Sequence, residues 1–89
     1  MERKQIIDKI IPIVYKNEKC GFTIIDDWFY TTTSNCFCVD IGNMRIDCKA
    51  IEVNDLHLTL FKQLPLGEVE RFMFPLSAIM KFTIRMVGD

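Results

Sequence analysis

Eighty-nine residues carry 49% apolar and 26% charged side chains, with eleven basic residues against twelve acidic ones and a net charge of −1. That length excludes a multidomain enzyme and leaves one domain, 1–89, whose interior is small for its apolar content. The apolar fraction excludes a disordered chain, and the balanced charge speaks against a protein that grips nucleic-acid phosphates non-specifically.

The first segment reads as a helix within residues 1–16. Ile7, Ile10, Ile11 and Val14 recur at i, i+3, i+4 and i+7, one face of an α-helix. Glu2 suits the positive end of the helix dipole. Pro12 removes one backbone hydrogen bond and crowds the carbonyl four residues earlier, so the helix kinks there or ends near Ile11. The apolar run of this segment is broken by Asp8-Lys9, unlike a secretory leader, and no run approaches the roughly 18 apolar residues a spanning helix needs. Four cysteines without a leader point to reduced thiols and a cytoplasmic setting, with no membrane partner.

Lys16 to Gly21 reads as a turn. Phe22–Ile25 and Trp28–Thr33 follow as two strands joined at Asp26-Asp27, an aromatic and β-branched hairpin over residues 21–34. Beyond Ser34-Asn35, residues 36–87 read as a run of strands with short turns. CFCVDI leads to Gly42-Asn43, MRIDCKAIEV to Asn54-Asp55, and LHLTLF to Pro65-Leu66-Gly67. EVERFMF then reaches a Pro75-Leu76-Ser77 corner before IMKFTIRMV.

Phe37, Val39 and Ile41 share one strand face, as do Leu56, Leu58 and Leu60, and Phe82, Ile84 and Met86. In MRIDCKAIEV the apolar set Met44, Ile46, Cys48 and Ala50 gives way to Ile51 and Val53. Such a phase change marks a bulge or sharp bend. The fold class is therefore mainly β with one N-terminal helix, built as a small bent-strand β-barrel with a five-strand core over 36–87.

That pattern resembles the Sm-like branch of the SH3-like small barrels. NMRIDCKAIEVNDLHLTL is similar in spacing to the first Sm signature and MFPLSAIMKFTI to the second. The resemblance implies an N-terminal helix, five bent strands, ring-like assembly through strand edges, and an oligomer that binds RNA or a nucleotide. The RNA-contacting positions of the family fall on Asn54 and His57. Its strand glycine falls on Cys48, and its base-clamping Arg-Gly pair falls on Pro75-Leu76. The segment Phe22–Thr33 is additional.

No catalytic set stands out. Cys36 and Cys38 share a strand face and have Cys20 and Cys48 as potential partners, but a Cys-x-Cys strand aims its sulfurs poorly for zinc. Free thiols, no metal and no cofactor are expected. His57, the only histidine, alternates with Leu56 and Leu58 and so faces away from the core. It lacks the third orienting group that a Cys–His pair would need.

The conspicuous clusters are Asp26-Asp27-Trp28-Phe29-Tyr30 and Phe72-Met73-Phe74. Trp28 and Tyr30 belong to residue types enriched at interaction hot spots, or they pack in the core. Met73 is left outside a strand whose flanking phenylalanines point inward. The candidate binding residues are thus Trp28, Tyr30, Asn54, His57 and Met73. The function expected is a non-enzymatic, homo-oligomeric module that engages a protein partner in a regulatory or inhibitory role, of a size that suits a phage or mobile element. Oligomeric RNA or nucleotide binding is the alternative.

Overall fold

The computed structural model describes residues 1–88; Asp89 lies outside the described residues. Helix α1 (Arg3–Lys16) runs straight through Pro12, which sits on its exposed side. Gln5 accepts a hydrogen bond from the Glu2 backbone N–H at the start (2.7 Å). At the end, the Asn17 side-chain amide donates to the Ile13 carbonyl (2.7 Å), satisfying an acceptor the helix cannot. The helix therefore neither stops nor breaks at Pro12. Its docking supplies more than one proline takes away, since Ile6, Ile10 and Val14 are fully buried at about 1.5–3 kcal/mol each. The buried stripe is centred on these three, and Ile7 and Ile11 lie on its flank, half-buried. Ile10 and Val14 of the expected stripe are thus fully buried, and Ile6 completes it where Ile7 and Ile11 were expected.

A 3-10 turn (Glu18–Cys20) closes on Gly21 in the left-handed region (φ 88°) and leads into strand β1 (Phe22–Ile25). Then come β2 (Trp28–Thr31), β3 (Cys36–Ile41), β4 (Met44–Cys48), β5 (Ala50–Val53), β6 (His57–Gln63) and β7 (Val69–Pro75). A second 3-10 turn (Leu76–Ala78) precedes β8 (Phe82–Val87). The chain is mainly β with one N-terminal helix, as its patterning implies. No helix among the described residues is long and apolar enough to cross a membrane.

The strands form two antiparallel sheets, one in the order β1-β2-β5-β6-β7 and the other β4-β3-β8. The phase change of MRIDCKAIEV is the joint between them. Ile46 and Cys48 point inward in β4, Lys49 is the extra residue, and Ile51 and Val53 point inward in β5. Lys49 keeps both main-chain bonds at the bend, its N–H donating to Phe61 (2.8 Å) and its carbonyl accepting from Thr31 (3.0 Å). The bend thus changes direction without leaving a buried backbone group unpaired.

The hairpin β1-β2 lies against β5, beside the place where β3 lies against β4. Between β2 and β3 the loop 32–35 is pinned by Lys49, whose Nζ donates to the Thr33 and Asn35 carbonyls (2.5 and 2.6 Å). Both sheets and α1 share one core. Phe29, Phe37 and Phe82 are its largest fully buried side chains, and Phe22 meets Phe37 edge-on (4.8 Å between ring centroids, 80°).

Two local expectations are revised. Thr32 and Thr33 belong to the pinned loop rather than to β2. Leu56 is 71% exposed and sits in the turn before β6, so only Leu58 and Leu60 of that alternating set enter the core.

Candidate interaction surface

Alternation in the five-stranded sheet sends Phe29 and Thr31, Ile51 and Val53, Leu58 and Leu60 inward, with Phe72 and Phe74 half-buried on the same side. The residues between them form the outer face. The register aligns Ile25, Trp28, Glu52, Thr59 and Met73 in one row across that face. Thr23, Tyr30, Ala50, Phe61 and Arg71 make the next.

Trp28 and Phe61 are two strands apart, about 9.6 Å by strand spacing. Their rings nevertheless meet, with centroids 4.9 Å apart and planes inclined by 33°. The small side chain of Ala50 between them leaves room for the indole to lie across β5. Thr59 is on this outer face yet only 3% exposed, with Glu52 and Met73 beside it in register. Trp28 (37% exposed), Ile25 (54%) and Met73 (61%) continue the apolar strip to solvent. Contiguous exposed apolar surface of this kind marks interaction sites. Glu52 sits within the row, between Trp28 and Thr59, and Arg71 and His57 supply the charged and polar margin.

The structure thus gathers four of the five sequence candidates on one face. Trp28 and Tyr30 stand on β2, Met73 on β7, and His57 begins β6 opposite Pro75. Asn54 serves the turn instead. Its Oδ1 accepts from the backbone N–H groups of Leu56 (2.9 Å) and His57 (2.7 Å), so its acceptor is spent on shaping the chain. Phe61 is the residue that strand reading passed over. Its signal was available, since it follows Leu58 and Leu60 in the opposite phase and is therefore an outward aromatic.

The thiols lie elsewhere. All four cysteines are free. Cys36 and Cys38 lie on the outer face of β3, where Cys38 is nonetheless buried (2% exposed), and Cys48 lies in the core. Burial is the main cause that pushes all three thiols up from their ordinary value. At Cys38 the neighbouring Asp47 carboxylate acts in the same direction and Arg85 opposes it. Groups held as neutral thiols are weak nucleophiles and weak metal ligands. Among the described residues, no three His, Cys, Asp or Glu side chains gather as a metal set. On the same outer face, Arg45 donates from Nε to Asp40 (3.0 Å), and that hydrogen bond is the first cause holding the Asp40 carboxyl below its usual range.

No family model, curated protein or solved structure matches this chain.

Proposed function

We propose that the protein is a non-enzymatic, self-associating interaction module that binds a protein partner through the outer face of its five-stranded sheet. The observation that carries this reading is the Trp28–Phe61 ring pair on a face that also exposes Ile25 and Met73. A large, rigid aromatic surface costs little side-chain entropy to dock and suits a hot spot. A small module with such a face fits a regulatory or inhibitory role, in which occupying a partner's surface is the whole action.

Affinity capture with the tagged protein tests this, comparing wild type with Trp28→Ala/Met73→Ala. Met73 is exposed but Trp28 packs on Phe61, so the thermal midpoint should fall modestly with unfolding still cooperative, while a specific partner is lost. Identical capture by the two proteins would remove the outer face from the function.

The second reading is oligomeric binding of RNA or a nucleotide, in keeping with the Sm-like resemblance. The exposed part of the Trp28–Phe61 pair favours it, because aromatic faces accept bases with little sequence preference. Trp28 is the sole tryptophan. Quenching of its emission by single-stranded RNA at low salt, reversed by added salt, would support this second reading over the first.

A further inference from the structure

Four strands stand at edges of the two sheets, β1 and β7 in one and β4 and β8 in the other. Strand β4 carries the exposed charges Arg45 and Asp47, which blunt that edge, and the other three differ in the fates of their main-chain groups. In the β6-β7 hairpin the Leu64 N–H donates to the Glu68 carbonyl (2.8 Å). Antiparallel ladders alternate bonded and non-bonded pairs. With the observed register, Lys62–Glu70, Leu60–Phe72 and Leu58–Phe74 are therefore the bonded pairs. Val69, Arg71, Met73 and Pro75 then turn their main-chain groups to the free side.

The same reasoning applies to β8. Gly42 N–H donates to the Lys81 carbonyl (3.4 Å), so Phe82, Ile84 and Met86 face away from β3. There the Phe82 carbonyl is already taken by Lys9 of α1 (2.9 Å). On β1 the Phe22 N–H is taken by the Asn17 carbonyl (3.5 Å). The free side of β7 receives no hydrogen bond from another element among the described residues, and it carries exposed Val69 (59%) and Met73 (61%). An open edge with apolar side chains is a template for another strand.

We infer that β7 pairs antiparallel with β7 of a second copy, with Phe72 on the two-fold axis. This deepens, and rests on, the reading of the protein as a self-associating module. The choice of occupant follows from self-complementarity. A two-fold axis is isologous, so each residue meets its mirror position. Phe72 is the midpoint of Val69–Pro75, and an axis there pairs the strand over its full length. It sets Arg71 opposite Met73, Glu70 opposite Phe74 and Val69 opposite Pro75, with no like charges face to face. An axis at Arg71 or at Glu70 would oppose two like charges, which is destabilising. Pro75 has no N–H, so each Val69–Pro75 pair makes one bond instead of two and about six main-chain bonds form across the axis. The two outer aromatic strips become neighbours on one continuous sheet.

Sedimentation equilibrium or light scattering at high micromolar concentration tests the pairing. The wild type should show twice the monomer mass. Met73→Lys, at an exposed position, places a cation opposite Arg71 of the second copy twice per dimer and should weaken association about tenfold or more. Met73→Lys/Arg71→Glu should restore the dimer, because the two positions face each other only in this register. A monomeric wild type, an unchanged dimer with Met73→Lys, no rescue in the double variant, or a mass beyond the dimer would each overturn the inference. A monomer that still captures a partner through Trp28 removes self-association and the β7 pairing but leaves the partner-binding face. A dimer whose capture ignores Trp28 removes the outer-face function alone.

Discussion

Gly21 shows how much a single position can decide. It adopts φ 88°, and a Cβ there would run into Thr33 Cγ2. Thr33 cannot swing aside freely, because its hydroxyl donates to the Cys20 carbonyl (2.7 Å). Gly42 also has positive φ (59°), but its surroundings are open. Gly42→Ala should therefore cost about 1 kcal/mol from backbone strain alone. Gly21→Ala should cost about 2–3 kcal/mol because overpacking adds to the strain. Urea unfolding of the two variants separates these terms, and equal losses would show that the Thr33 contact does not matter.

Cys48 makes a prediction about pH. Burial raises its thiol in the folded state, so the folded protein holds its proton where the unfolded chain releases it. The stabilisation is complete below the ordinary thiol value and is lost as pH rises. Stability should fall from about pH 8.5 upward, and Cys48→Ala should flatten that decline while lowering stability at neutral pH. Thermal midpoints measured from neutral to alkaline pH check this; an equally steep decline in Cys48→Ala would assign it to other groups.

Among the elements, α1 and the bent strand show where local patterning succeeds and where it needs help. The helix was legible from its apolar spacing, yet its exact stripe was not. Several isoleucines compete for burial, and the surface of β8, β1 and β5 decides which ones win. Ile10 is fully enclosed, so Ile10→Ala should destabilise the fold by about 2–5 kcal/mol in denaturant titration. A loss under 1 kcal/mol would mean that α1 is not part of the core. The joint at Lys49 was legible because an extra residue reverses the phase of a strand, and side-chain period two makes that visible in the letters alone. The pinning of loop 32–35 by the Lys49 ammonium was not legible, since nothing local ties a lysine to carbonyls of a preceding loop. Leu56 likewise alternates correctly and still ends outside, because Asn54 captures the backbone there and delays the strand to His57.

At the scale of the molecule, the fold wraps two sheets and a helix around one core and leaves apolar material on its exterior. The outer strip on one sheet and the open side of β7 are adjacent, with Met73 belonging to both. On the proposed reading, the partner face and the β7 pairing share Met73, so occupation of one would be felt at the other. Alternation along each strand already decided which side chains face in and which face out, and glycine, proline and asparagine already marked most turns. These are local consequences of backbone geometry, readable residue by residue. Tertiary structure decided that Trp28 meets Phe61 across Ala50, that Asn54 is spent on its own turn, and that an edge main-chain group is taken on β8 and on β1 but none on β7 among the described residues. Each of these depends on strand order and on contacts between distant segments. Burial of the shared core selects those contacts, and no local pattern encodes them.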